Sequence, residues 1–264
     1  MHASEFDRYR QGDSLLHMLD ARVKVLVTVA YILSNVLLPD GAWLAFGLAW
    51  LLLLYCNWLS GLGPGFTLKR SFVALPFALA ALTAIFSIPG QPLAHWQLGG
   101  LTLVPTDAGL LRFASVVVRS WLSVQMAILL VAVTAFPDII HALGHLHLPA
   151  ILVTIIAFLY RYLFVLTDEV LRLLRARQAR SAGRPGVRAG GSLGWRARVA
   201  GNMAGQLFLR SYERSDRIYN AMLSRGYRGQ LQTMHTGKVR SADWLVASVV
   251  LAALVMMQVL GRLS

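Results

Sequence analysis

The sequence predicts an all-α fold: a polytopic transmembrane helical bundle with a strongly basic helical part on the cytosolic side. Three observations predict it. Of 264 residues, 56% are hydrophobic and only 14% charged, which is too apolar for a soluble domain of this length. The apolar residues gather into six runs, 23–38, 43–62, 72–88, 110–136, 151–166 and 244–260, each near the ~20 residues that a helix needs to cross a ~30 Å hydrocarbon layer. The runs lack the polar–apolar alternation of a transmembrane barrel strand. Third, the charge is segregated. Residues 172–240 hold 15 of the 25 Lys and Arg but only 2 of the 12 Asp and Glu, and the remainder holds ten of each. Positive segments stay cytosolic. The predicted divisions are residues 1–166 for the N-terminal region and most spans, 167–243 for the basic cytosolic part, and 244–264 for a last span.

Taken in order, Asp13-Ser14 before Leu15-Leu16 reads as a helix start, giving a short interfacial helix that runs into the first span. Pro39-Asp40-Gly41 is a turn between two apolar helices. The run 43–62 and the run 110–136 are long enough to span with tilt; the other four are near the lower limit. Gly61 to Gly65 end the second segment, and Lys69-Arg70 anchors it at an anionic leaflet. Residues 89–107 read as an external loop, within which 95–104 suit a small hairpin. The polar N-terminus lacks the apolar stretch of a cleaved signal peptide, and Cys56, the single cysteine, is expected to be inert packing. If Arg22, Lys24 and Lys69-Arg70 are all cytosolic, five full spans before the basic stretch would put it outside. One of those segments is therefore expected not to cross completely, the alternative being an external N-terminus.

Beyond Pro149 no breaker interrupts the chain until Gly183, so one helix is expected to leave the fifth apolar run and project through Asp168 and Arg177. A second helix is expected over 195–225, ending at Gly226. On it Tyr212, Tyr219, Met222 and Leu223 fall near one face and Arg210, Arg214 and Arg217 on another, with Glu213 and Arg217 spaced for an i,i+4 pair. The two helix ends are alike: Ala179-Arg180-Ser181 and Ser224-Arg225-Gly226. An arginine in a last turn followed by glycine is a common helix stop, since the cation complements the negative end. Two such ends on one basic part also suit presentation to acidic grooves of a partner, because the planar guanidinium binds carboxylates bidentately.

The stretch Arg210-Ser-Tyr-Glu-Arg-Ser-Asp-Arg-Ile-Tyr-Asn-Ala-Met-Leu-Ser-Arg-Gly-Tyr-Arg-Gly229 resembles the signature region of energy-coupling factor transmembrane (T) components, and more narrowly of their cobalt-transport branch, CbiQ. Leu19-Asp20-Ala21-Arg22-Val23-Lys24 resembles the Asp-Pro-Arg-x-Lys element near that family's N-terminus, with Ala21 in place of proline. The resemblance implies cytosolic coupling helices whose Ala-Arg-Gly-like ends dock into two ATP-hydrolysing subunits of the ABC class. Ala179, Arg180 and Ser181, and Ser224, Arg225 and Gly226, hold those places. Ser181 and Ser224 depart from the pattern, while the central arginine is present in both. It further implies a separate substrate-binding membrane subunit that captures the metal, and ATP hydrolysed by the partners rather than on this chain.

The residues themselves carry no catalytic pattern. Gly190 to Gly194 fits a nucleophile-elbow spacing but has no strand before it, and Gly237-Lys238 lacks the rest of a phosphate loop. His141 and His145 share a helical face, and with His147 they have imidazoles suited to cobalt, nickel or zinc, though polar residues of an interfacial segment look the same. No metal or cofactor is expected on this chain. Arg112 reads as snorkelling from a helix end. Arg119 and Arg161 lie in apolar runs, where a charge faces protein, water or headgroups, and are candidates for intramembrane or intersubunit pairing. No nucleic-acid motif accompanies the basic charge. The expected function is a non-catalytic coupling subunit of a cobalt importer in the cytoplasmic membrane, with membrane lipid and the transporter subunits as partners. The alternatives are a T component serving nickel or a vitamin, or a lipid-acting membrane enzyme.

Overall fold

A computed structural model describes residues 9–92, 96–98, 101–103, 105–146, 148–180, 192–229 and 240–263. Among the described residues the regular structure is helical apart from one small hairpin, and the chain forms two compact units. One comprises Arg8–Ala142 with Gly237–Ser264, the other centres on Leu143–Thr236.

The first unit opens with a four-residue turn of helix, α1 (Leu15–Met18). It does not run into the first span as expected: Leu19 is extended, with ψ 148°, and Asp20 starts a new helix, α2 (Ala21–Leu37), by accepting a hydrogen bond from the Arg22 backbone N–H at 2.8 Å. Ala21 thus occupies the first helical position, where a proline is equally at home. One turn in, the Lys24 ammonium donates to the carbonyl of Val133, the last residue of α7 (Asp107–Val133), at 3.3 Å, and to that of His17 at 3.4 Å. Terminal carbonyls of a helix lack intrahelical partners and carry partial negative charge, so a cation is favoured there. The Arg10 backbone N–H donates to the neighbouring Ala132 carbonyl. Asp243, buried in the first turn of α11 (Ser241–Leu263), accepts from the backbone of Asp20 at 3.4 Å and of Arg240 at 2.8 Å. One end of the bundle therefore gathers the start of α2, the end of α7 and the start of α11.

The opposite end of α2 is fastened just as firmly. In the turn after it, Gly41 has φ +85°, a conformation that strains any residue with a Cβ. Its N–H donates to Ser115 Oγ at 3.0 Å. The Arg119 guanidinium donates to the Leu38 carbonyl at 2.6 Å and to Asp40 Oδ1 at 2.7 Å, while the more exposed Arg112 stands 3.8 Å from Asp40 Oδ2. Helices α2 and α7 accordingly run antiparallel. Between these ends the core is packed by Tyr31, Leu38, Phe46, Leu53, Leu122, Met126, Leu129, Leu254 and Met257, and by the small Ala42, which precedes α3 (Trp43–Leu59), and Ala45 and Ala49 within it. Small residues let helices approach where lipid gives no hydrophobic drive. The approach is close: a Cβ on Gly261 of α11 would lie 2.6 Å from Leu38 Cδ2 and 3.1 Å from Ala45. The buried Tyr31 hydroxyl donates to the Ala49 carbonyl at 2.9 Å.

Helix α3 is shorter than its apolar run, 17 residues ending at Leu59, because glycines with positive φ at 61 and 63 turn the chain. The third run is broken into α4 (Pro64–Arg70), a 3-10 turn (Ser71–Ala74), α5 (Leu75–Ala81) and α6 (Thr83–Ser87), with a 52° bend. Pro76 at the start of α5 cannot supply the N–H that a continuous helix would use. The segment begins with Phe66 beneath the guanidinium of Arg10, 4.6 Å from the ring centroid. It ends where the Thr106 hydroxyl, which also caps α7, donates to the Ile88 carbonyl at 2.7 Å. The hairpin expected over 95–104 is present as β1 (Trp96–Leu98) and β2 (Leu101–Leu103), antiparallel with Leu98 opposite Leu101. By length and composition α7, α9 (Ala150–Arg180) and α11 are long and apolar enough to cross a membrane, and the bent segment gives a fourth.

Replacing Arg119 by Leu leaves Asp40 and the Leu38 carbonyl short of a partner. Thermal unfolding in detergent should show a loss of ~1–3 kcal/mol, of which the additional change Asp40→Asn restores a part.

Candidate functional site

The second unit is built on two long helices, α9 (Ala150–Arg180) and α10 (Leu193–Ser224), reached through α8 (Phe136–His145). Helix α9 is unbroken for 31 residues, ~46 Å at 1.5 Å per residue, so the fifth apolar run and the basic segment after it form one rod. Ser192, the central residue of the elbow-like pattern, is the N-cap of α10, its Oγ accepting from the Trp195 N–H at 3.4 Å. A hydroxyl used in this way is a helix start. Gly190 and Gly191 lie outside the described residues.

The two helices run antiparallel. Early residues of α9 (Ile151, Ile155, Phe158, Tyr162) and late residues of α10 (Tyr212, Tyr219, Met222), with Tyr227 beyond it, line one open, largely apolar cavity of about 640 Å³. Farther along α9, Glu169 forms a short ion pair with Arg210 of α10, and Arg172 stands 4.0 Å from the same carboxylate. Arg210 reaches across to α9 rather than staying on its own face, and no Glu213–Arg217 pair forms among the described residues. A carboxylate on the neighbouring helix, 15% exposed, is the better-desolvated partner. Nothing in the spacing along either helix announces this cross-link.

The end of α10 is defined in detail. Gly226 has φ +83°. Its N–H donates to the Leu223 carbonyl at 3.0 Å, and the Tyr227 N–H donates to that of Met222 at 3.0 Å, the paired pattern of a Schellman stop. Backbone groups thus satisfy these carbonyls, and the exposed Arg225 guanidinium, which makes no ion pair among the described residues, is not used to cap its own helix. Ser224 turns its hydroxyl back to the Ala221 carbonyl at 2.9 Å. At the end of α9, Ala179 and Arg180 are likewise exposed; Ser181 lies outside the described residues.

Of the other sequence candidates, Arg119 forms the pair with Asp40, while Arg161 is exposed on α9 with no ion pair among the described residues. His141 and His145 lie one turn apart on α8, His147 lies outside the described residues, and no group of three or more metal-ligating side chains converges among those described. The gathering of Asp20, Lys24 and Asp243 was not foreseen. Its one sequence signal is an acid at the very start of the last apolar run.

Residues 12–236 match the family described as CbiQ, cobalt transport protein. The chain belongs to this family. Among similar proteins, an uncharacterized protein of Methanocaldococcus jannaschii is 28% identical over 260 residues, covering 96% of this chain and 85% of that one. The energy-coupling factor transporter transmembrane protein EcfT of Lacticaseibacillus paracasei is 28% identical over 233 residues, 84% of each. The cobalt transport protein CbiQ of Salmonella typhimurium is 28% identical over 191 residues, 66% of this chain and 78% of its own length. This CbiQ-family chain is thus a transporter membrane component, a multi-pass helical protein of the cytoplasmic membrane, and the resemblance read from residues 210–229 holds over most of its length.

Because Gly226 alone of this turn needs the left-handed conformation, Gly226→Ala should lower stability by about 1 kcal/mol. Gly226→Asn, which tolerates that region better, should lower it less, measured by thermal unfolding of the purified protein.

Proposed function

We propose that this CbiQ-family chain is the non-catalytic coupling subunit of an energy-coupling factor importer for cobalt ions. Two cytosolic ATPase subunits would each receive one arginine: Arg180, flanked by Ala179 and Ser181, and Arg225, flanked by Ser224 and Gly226. The observation that carries this reading is the backbone-closed end of α10, which leaves Arg225 exposed and free of the ordinary capping duty. From the Glu169–Arg210 contact the two arginines lie eleven and fifteen residues away, in opposite directions, so they stand at most about 40 Å apart along the pair. That separation suits two recipients rather than one. The cobalt assignment is supported by the family description and the binding of ATP by partners is supported by the lack of any phosphate loop here. Large apolar side chains exposed on the pair, Ile155, Leu159, Phe208, Tyr212 and Tyr219 among them, fit coverage by a substrate-binding membrane subunit.

The topology follows from the clasped ends. Helix α2 leaves the end that carries Arg10 and Lys24, α3 returns to it, the bent α4–α6 segment leaves again from Phe66 to Ile88, and α7 returns. Helix α11 then starts beside the point where α2 began. Residues 134–240 therefore begin and finish on one side, and positive charge makes that side cytosolic. An even number of crossings is required between them, and α10 is too charged to cross. Helix α9, although long and apolar enough by composition, stays on the cytosolic side, leaving five crossings. On this reading the run 151–166 is the segment that does not cross.

In membranes, a reporter fused after Gly229 should read as cytosolic and one fused after the C-terminus as external; the same side for both would remove this topology. Arg180→Ala and Arg225→Ala should each weaken co-purification with the ATPase subunits, and the double variant should reduce ATP-dependent cobalt uptake at least tenfold while the chain still inserts. Full assembly and uptake in the double variant would return both arginines to being helix ends.

A further inference from the structure

The α9–α10 pair has an unusual basis for two helices that hold each other. Among the described residues α10 has no buried side chain, and α9 buries only Thr154. The space between their apolar faces is an open cavity of about 640 Å³, and a second cavity of about 210 Å³, lined by Leu166, Leu207 and the charged Glu169, Arg210, Glu213 and Arg217, lies next to it. Leu166, Ser211 and Arg214 border both. Where interdigitated side chains do not fix the angle between two helices, that angle is soft, since apolar contact is non-directional. A charged hydrogen bond is directional and short. Glu169 is 15% exposed and accepts from Arg210, so a well-sheltered charge on this pair is also its cross-link.

We propose that the Glu169–Arg210 ion pair is the pivot of the α9–α10 pair: it fixes one point of each helix so that displacement of Arg180 is passed to Arg225 instead of being absorbed by splaying. Glu169 and Arg210 are positioning residues, and neither belongs to the docking ends. The proposal rests on the coupling function above, and its consequence is specific. Breaking the pair leaves docking and ATP hydrolysis in place and lowers the cobalt moved per ATP hydrolysed.

The test has two arms. In the first, the chain alone is placed in lipid nanodiscs with Cys56→Ala and spin labels at Gln178→Cys and Asn220→Cys, both exposed positions. Glu169→Gln and Arg210→Met should each broaden the label-to-label distance distribution at least twofold, and the exchanged pair Glu169→Arg with Arg210→Glu should narrow it again. This arm needs no ATPase subunit, so it reads the pivot even if the coupling function were wrong. In the second, the complete transporter in proteoliposomes should keep assembly and ATPase turnover within twofold in both single variants. Cobalt uptake per ATP should fall at least fivefold, with at least half restored by the exchange. An unchanged distribution overturns the pivot. Unchanged uptake per ATP, or loss of assembly in the single variants, equally overturns it, the latter because the pair would then serve docking. A wild-type complex that fails to assemble would sink the coupling function and leave the first arm to decide the pivot.

Discussion

The constraint on which the membrane unit depends is the meeting of three helix ends around Lys24 and Asp243. Each is a charged side chain largely withdrawn from water, and each is hydrogen-bonded to backbone there. Lys24 takes up a terminal carbonyl of α7, and Asp243 takes up N–H groups at the starts of α2 and α11. Removing a partner from such a group exposes the full expense of its desolvation, so the arrangement resists sliding of any one helix past the others. Because α2, α7 and α11 are held at this end, the topology proposed above takes its starting point here. The chain departs from the clasp after Val133 and comes back to it at Arg240, whatever it does in between.

At the far end the same logic is repeated with Arg119. The α2–α3 turn would otherwise leave the Leu38 carbonyl and the Asp40 carboxylate facing an apolar setting. Arg119, rooted three turns inside α7, satisfies both at once. Two polar attachments at opposite ends and small-residue contacts between them give a bundle whose order comes from directional bonds and close approach, as expected where lipid is as apolar as the core.

Much of this architecture was legible in the sequence, for reasons that differ by element. The helical class, the α9 rod and the stop at Gly226 were readable because hydropathy runs, the absence of breakers, and an Arg-Gly pair are local signals. The hairpin was readable from its small strands between Pro and Gly. The family was readable from residues 210–229 because that stretch is long and specific. What escaped notice was non-local. Asp20 and Asp243 are separated by more than two hundred residues, and no spacing rule links them. Glu213 offered Arg217 a partner at helical distance, yet Arg210 found Glu169 on another helix. The third run, near the lower length limit, left open whether it spans, re-enters or is buried, and its break into α4, α5 and α6 was not legible from hydropathy alone.

The bare apolar surface of α9 and α10 has a consequence for the life of the protein in the cell. Phe208, Tyr212, Tyr219 and Leu159 are more than half exposed on a part of the chain that faces the cytosol in the topology above. Surfaces of this kind, on helices whose own contacts are sparse, are what chaperones and quality-control proteases recognise in orphaned subunits. Under the proposed function, a copy made in excess of its companions would leave these faces uncovered and open to such recognition.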